Sequence, residues 1–288
     1  MPMFTTCCPS WYQYCEKLYP DLLNHLSTVK SPQANLGSLV KTYFAEKKGI
    51  PVEKIKHFVI APCVVKKDEA KDKDYWVIDN VPNIDEVVTT MELADIIKES
   101  GIDFKSLTES SFDEILGKSS GAGAIFGTTG GVMEATLRTA YFYLTGKELE
   151  KYELTDIRNA FRLKTGVFLL GQYRLKIATF NDILELKGML DELRSNGKVD
   201  YHFVEVMNCP GGCIGGIGQM TQDPRILQLR REALFKYDEQ HNVRSAHQNE
   251  EIKKLYSEYL GEIGGGKAKE ILHTRRRDLS ELEMSCPV

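Results

Sequence analysis

Between Tyr201 and Gln219 an apolar run, Tyr201 to Met207, feeds directly into Asn208-Cys209-Pro210-Gly211-Gly212-Cys213-Ile214-Gly215-Gly216-Ile217-Gly218. No other stretch limits the fold as strongly. The apolar run reads as a strand, and the residues after it can only form a tight loop. Glycine admits positive φ angles and lets backbone N–H groups approach a sulfide or another ligand closely. Pro210 stiffens the turn. A glycine-rich turn with two incidental thiols is the plainer reading. Five glycines bracketing a cysteine pair argue against it, because thiolates bind iron and a cluster needs several of them in a small volume.

Seven cysteines are present: Cys7, Cys8, Cys15, Cys63, Cys209, Cys213 and Cys286. Their number is odd, and a chain of 288 residues needs no disulfide staples. They read as metal ligands or catalytic thiols in a reducing compartment, the cytoplasm or a reducing anaerobic organelle. Zinc competes for four cysteines, but zinc sites usually use two close pairs. Here the set is one pair plus widely separated singles. Thr5-Thr6-Cys7-Cys8-Pro9-Ser10-Trp11 holds adjacent cysteines. Side chains of neighbours diverge, so one is expected to ligate and the other to do separate work, such as relaying protons. In Ala61-Pro62-Cys63-Val64-Val65-Lys66-Lys67-Asp68-Glu69, one helical turn would put Cys63, Lys66 and Glu69 on one side. A lysine there can hold an anionic ligand; as a surface lysine it would do nothing.

Periodicity predicts helices over Pro9–Tyr19, Asn35–Lys47, Leu93–Ser100 and Ile183–Arg194, and one carrying Met133, Leu137, Ala140, Tyr141 and Leu144 on one face. Ser111 to Glu114 reads as a capping box. Strands are expected at His57–Ala61 (buried), Glu86–Thr90, Leu175–Phe180 and Tyr201–Met207. Strands alternating with helices imply a parallel sheet with helical crossovers, an α/β chain. Its last part, 221–288, is expected to be mostly helical, starting at Asp223-Pro224 and including Glu251–Tyr259. Sites in such sheets gather at the carboxyl ends of strands, where Cys63 and Cys209 fall. Cys15 reads as core packing and Cys286 as incidental.

The net charge of −4 gives no reason to expect nucleic acid, and Arg275, Arg276 and Arg277 read as a solvated face. No run of about 18 apolar residues suggests a membrane span. Met1 to Thr6 lacks the charged and apolar regions of a secretion signal.

The three cysteine segments, in this order, resemble the signature motifs of the iron–iron hydrogenases: Thr-Ser-Cys-Cys-Pro, Met-Pro-Cys-x-x-Lys-x-x-Glu and Glu-x-Met-x-Cys-x-x-Gly-Cys-x-x-Gly-Gly. The likeness extends to Ser27–Lys41, Gly121–Arg138, Asp200–Gln219 and Ala246–Thr274. It implies one catalytic domain over 1–288, with two parallel-sheet lobes flanked by helices and the H-cluster bound between them. That cofactor is a 4Fe–4S cubane joined through a cysteine to a two-iron subsite with CO, cyanide and a bridging dithiolate amine. Matched residue by residue, Cys8, Cys63, Cys209 and Cys213 would ligate the cubane, and Cys213 would bridge to the two irons. Cys7 would be the proton-transfer thiol. Lys66 would hold a cyanide; Gln33, Pro62, Phe126 and Met207 would line the two-iron pocket. Ser27 and Glu69 match the family's proton path and its support.

The implied reaction is reversible reduction of protons to H₂, with electrons exchanged with a ferredoxin-like carrier and the cofactor built by maturation proteins. Departures are Ala61 for methionine, Ile217 for glycine, Met220 for proline and Thr6 for serine. The first motif begins five residues into the chain, whereas the family's catalytic domain has a sizeable segment before it. A minimal enzyme, a split enzyme whose second chain supplies that segment, and a fragment are the readings that follow. A sensory relative, or an iron–sulfur assembly or scaffold protein with little H₂ turnover, is the alternative. An assembly protein needs the cubane ligands but not Cys7, Lys66 or Met207.

Overall fold

In the computed structural model, which describes residues 1–112, 115–158 and 162–275, the expected alternation of strands and helices is present. The order is β1 (Met3–Phe4), α1 (Pro9–Leu18), α2 (Pro32–Leu39), α3 (Ala45–Lys48), β2 (Phe58–Ala61), α4 (Lys66–Lys71), β3 (Glu86–Thr89), α5 (Thr90–Glu99), α6 (Gly121–Ile125), α7 (Gly131–Thr145), β4 (Lys164–Leu170), β5 (Tyr173–Asn181), α8 (Ile183–Asn196), β6 (Phe203–Met207), α9 (Pro224–Gln240), α10 (Glu250–Leu255) and α11 (Gly266–Leu272). No described helix is long and apolar enough to cross a membrane.

Two sheets result. The larger has the order β1-β6-β5-β4 and the smaller pairs β2 with β3. In the larger, β6 lies parallel to both β1 (Phe4 opposite Val204) and β5 (Ile177 opposite Phe203). β4 runs antiparallel to β5, so the sheet is mixed. The sequence reading missed β4, because Gly166 interrupts its apolar pattern and Lys164 opens it with a charge.

All five β6 residues are buried. Around β6 sit Phe4, Trp11, Phe180 and, from α8, Leu186, Leu190 and Leu193. Burying a side chain of this size stabilises by about 1.5–3 kcal/mol. Pro9 starts α1 at a position where no amide donor is needed, and Trp11, Tyr12 and Cys15 then face inward. Asp182 caps α8, and Gly197, at φ +67°, ends it.

The smaller sheet differs. The expectation of a buried strand over 57–61 is wrong on one face. Phe58 is 63 % exposed and Ile60 58 %, whereas Ala61 is buried. Apolar composition marks a strand but does not supply the layer that would cover it.

Two helices begin or bend where periodicity did not indicate. Ser31 caps α2 by accepting from the Ala34 amide, and Pro32 occupies its first turn. The helix therefore starts three residues before Asn35, and it passes through a π turn at Val40–Phe44 into α3. α10 likewise continues as a π turn, Tyr256–Leu260. The Ser111–Glu114 capping box falls partly outside the described residues, as do Arg276, Arg277 and Cys286 wholly.

The helical segment from α9 onward is tied to the rest by a buried ionic cluster. Arg138 of α7 donates to both Asp238 oxygens at 2.8 Å, and also to Glu134. Arg158 donates to Glu134 at 2.7 Å, and Arg244 to Asp238 at 2.7 Å. Every buried charge here has a partner, which is the condition under which such charges are tolerated.

Candidate metal centre

Three strand ends converge on one region. β1 leads to Cys7 and Cys8, β2 to Pro62 and Cys63, and β6 to Asn208 and Cys209. Cys8 sits at the start of α1 in extended conformation, so Cys7 and Cys8 diverge as adjacent residues must.

The Cys209–Cys213 loop is held by backbone geometry. Gly211 and Gly212 take φ of +74° and +98°, where a side chain would be strained. A Cβ on Gly212 would lie 2.6 Å from the Thr129 nitrogen, and one on Gly216 would lie 2.0 Å from the Pro62 carbonyl oxygen. These close approaches press the loop against Gly127–Thr129 on one side and the Cys63 segment on the other. Gly218 N–H donates to the Pro62 carbonyl at 3.1 Å, joining residues far apart in sequence. Asn181, at the end of β5, donates to the Cys209 carbonyl and accepts from the Gly211 N–H at 2.9 Å.

The six cysteines among the described residues are free thiols. Cys8 lies within electrostatic reach of Cys63. Cys209 feels Cys8 and Cys63, and Cys213 feels Cys8, Cys63 and Cys209. Every pairing of the four is thus coupled. Burial pushes the Cys209 thiol up to about 11 and the Cys213 thiol up to about 12, with the neighbouring cysteines adding to it. Burial also raises Cys8, against the backbone N–H groups of Trp11 and Asn208.

Such thiols ionise at neutral pH only if a cation compensates. Among the described residues no three His, Cys, Asp or Glu side chains converge on a single ion position. The four coupled thiols come from three separate segments, as suits a cluster in which each iron takes its own thiolate. The donor set therefore fits a 4Fe–4S cubane. Two buried acceptors without partners, Gln33 Oε1 and Thr129 Oγ1, belong to this region and leave polar capacity for a bound group.

Beside the four thiols lies Cys7. Its thiol is pushed well up by burial first, then by Glu205, Cys8 and Cys213, while Lys66 acts the other way. Cys7, Phe126 and Met207 pack on the same core, with Met207 2 % exposed. Lys66 starts α4, as the spacing required. Its Nζ donates to Glu69 Oε2 at 2.8 Å and to the Cys7 carbonyl at 3.2 Å. Burial works against the Lys66 ammonium, but Glu69 outweighs it and holds the pKa above its ordinary value. Gln33 donates to Glu69 at 2.9 Å and to the Lys66 carbonyl at 3.3 Å. Cys7, Gln33, Lys66 and Glu69 are thus brought together, Phe126 and Met207 share the core against which Cys7 packs, and Pro62 lies against the Cys209–Cys213 loop.

Ser27 is placed differently. Its carbonyl accepts from Thr6 Oγ1 at 2.9 Å and its hydroxyl accepts from the Val29 N–H at 3.3 Å. The hydroxyl that donates to Glu69 is that of Ser31. Sequence reading missed Ser31, although a serine before Pro32 is a helix-start signal. It also missed Asn181 and gave no role to Glu205. A lone charge inside an apolar strand was the available sign for Glu205. Its oxygens accept from Gly130 and Met133 N–H at 2.6 and 2.7 Å, at the start of α7. Burial lifts its pKa to about 7 against those hydrogen bonds. Of the departures, Ala61 is buried, and Ile217 and Met220 are exposed.

Residues 1–217 match the family profile described as iron only hydrogenase large subunit, C-terminal domain. Residues 224–275 match iron hydrogenase small subunit. Iron hydrogenase 1 of Clostridium pasteurianum is 40 % identical over 94 % of this chain and 48 % of its own. The cytosolic Fe-S cluster assembly factor narfl of Danio rerio is 30 % identical over 96 % of this chain and 68 % of its own. Among solved structures, the apo [FeFe]-hydrogenase HydA1 from Chlamydomonas reinhardtii, variant C377H, superposes with TM-score 0.79 at 40 % identity. The match covers 95 % of this chain and 75 % of that one. The chain spans about half the length of the first curated relatives it matches.

Proposed function

We propose, from the premise that the chain belongs to the iron-only hydrogenase large-subunit family, that it is an iron–iron hydrogenase reversibly reducing protons to H₂. One observation carries this reading: a fifth thiol, Cys7, lies half-buried beside Cys213 and Lys66 without being needed to hold a cubane. In this reading Cys8, Cys63, Cys209 and Cys213 would hold a 4Fe–4S cubane, with Cys213 on the side of a two-iron subsite. When bound, that subsite would supply an open iron position and a basic amine. Gln33, Pro62, Phe126 and Met207 would line its pocket. Lys66, steered by Glu69 and Gln33, offers its ammonium to an anionic ligand. Cys7 Sγ stays protonated at neutral pH because burial raises its pKa, so it can deliver a proton and take one back. Ser27 would pass protons outward, with Thr6 fixing its backbone. A ferredoxin-like carrier would exchange electrons, maturation proteins would install the two-iron unit, and a second chain could complete the assembly.

The test is anaerobic infrared spectroscopy after cluster reconstitution and addition of a synthetic two-iron precursor, with H₂ evolution from reduced viologen alongside. CO and cyanide bands with H₂ production are expected. Cys7→Ala should keep the cubane signal and cut H₂ evolution by about 10²-fold or more.

A second reading, iron–sulfur assembly without H₂ chemistry, is favoured by the similarity to the narfl assembly factor over nearly the whole chain. A cubane signal with no bound CO or cyanide, and no turnover, would select it.

A further inference from the structure

α9 lies against the cysteine loop along one face. A Cβ on Gly215 would stand 3.5 Å from Leu227 Cδ1, one on Gly211 3.6 Å from Arg231 Nη2, and one on Gly127 3.0 Å from Leu234 Cδ1. Arg230 Nη1 donates to the Ile214 and Thr221 carbonyls, each at 2.9 Å. Positions 227, 230, 231 and 234 are spaced i, i+3, i+4 and i+7, so they form one stripe of the helix. A stripe that faces the rest of a fold is ordinarily apolar. Here its two middle positions are half-buried arginines.

Arg230 also differs from the arginines of the buried ionic cluster. Arg138, Arg158 and Arg244 each meet a carboxylate oxygen within 2.8 Å. Arg230 meets two neutral carbonyls, and among the described residues no carboxylate pairs with it. The acidic residues nearest to it along α9 are engaged elsewhere. Glu232 accepts from Gln228 at 2.8 Å, and Asp223 pairs with Arg225 at 2.7 Å. Lys66, by contrast, acts on Cys213 but has its own counter-charge in Glu69 at 2.8 Å. Any neutral donor could hold a carbonyl. A guanidinium without a counter-charge adds a net positive field beside Cys213, and partial burial screens that field less than open solvent would. A cubane on four thiolates is an anion that grows more negative on taking up an electron. Its potential follows the net charge and the hydrogen bonds around it.

We infer that Arg230 is a positioning residue for the metal centre: it fixes the backbone leaving Cys213 and, through its unbalanced charge, favours the reduced cubane. One electron enters from an external one-electron donor and no bond forms or breaks, so the effect is a shift in the reduction equilibrium alone. This inference rests on the reading that Cys8, Cys63, Cys209 and Cys213 hold a cubane. It does not depend on H₂ turnover, and it holds equally for an assembly protein.

The experiment reconstitutes the cubane in the full 288-residue chain with iron and sulfide. Dithionite then titrates it in the presence of viologen mediators, and the electron paramagnetic resonance of the reduced cubane is the readout. Arg230→Gln keeps a donor and removes the charge. Arg230→Lys keeps the charge and loses the planar fork. The equilibrium constant for reduction should fall about three- to tenfold in Arg230→Gln, tenfold being about 59 mV for one electron. In Arg230→Lys it should stay within about twofold of the parent. An unchanged potential in Arg230→Gln overturns the inference. So does an equal shift in both variants, because the effect is then one of loop geometry. If Arg230→Gln takes up no cubane, Arg230→Lys decides: a cubane near the parent potential upholds the role of the charge, and a shifted cubane or none overturns it. A parent chain that takes up no cubane overturns the cubane reading itself, and this inference with it.

Discussion

β6 and β2 each run into a cysteine loop, but they are held in opposite ways. β6 lies between β1 and β5 with every side chain buried. Among the described residues β2 has one neighbour, and it shows Phe58 and Ile60 to solvent. Cys209 is thus delivered from a packed wall, and Cys63 from a partly clothed one. The lesson is that a metal centre needs only its strand ends positioned; the thickness of scaffold behind each end can differ. Contacts reaching across, such as Gly218 N–H to the Pro62 carbonyl, let the stronger side hold the weaker.

The contrast can be broken by substitution. The largest effect is expected at Trp11, fully buried against Phe4 at 5.4 Å between ring centroids. Trp11→Ala should cost about 3–5 kcal/mol in urea unfolding, by lost transfer energy plus cavity. A loss below 1 kcal/mol would show that the larger sheet is not the rigid side.

Lys66→Met comes next. It leaves Glu69, 4 % exposed, with only neutral donors from Ser31 and Gln33. A cost of about 2–4 kcal/mol is expected in the same assay, because an uncompensated charge remains buried. If the variant is neutral, this pair does not brace the smaller sheet's side.

Third is pH. Glu205 has a folded pKa of about 7, above the ordinary carboxylate value. Its contribution is fully present below the unfolded pKa and is lost as pH rises through 7. Unfolding free energy should therefore fall by on the order of 2 kcal/mol between pH 5 and 8 from this group. Glu205→Gln should flatten that part of the profile. An unchanged slope would mean the carboxylate is fully compensated by the start of α7.

The smallest effect is expected at Phe58→Ser, within about 0.5 kcal/mol for the chain alone, since the side chain has little packing to lose. A cost near that of Trp11→Ala would show that β2 is covered in solution, and would end the comparison.

Much of this molecule was legible from local signals. Pro9 and Asp223-Pro224 act through hydrogen bonds and φ angles a few residues long. The Lys66–Glu69 turn and the strand ends at Cys63 and Cys209 are likewise local. The segments around Cys7, Cys63 and Cys209 could be recognised because ligand type and glycine spacing are written in sequence order. Placement of long-range partners was not legible. Ser31 reaches Glu69, Asn181 braces the Cys209 loop, and Glu205 caps α7, each through a neighbour distant along the chain.

The sequence by itself determined the thiols, the turns that present them and the strands that end in them, because covalent spacing and backbone freedom decide those. The tertiary structure alone decided which apolar strand is buried. Residues 57–61 and 201–207 read alike as apolar runs, and only the presence of Trp11 and α8 over one, and of nothing within the described residues over Phe58 and Ile60, separates them. Burial is a property of what packs from elsewhere in the fold, and no local pattern contains it.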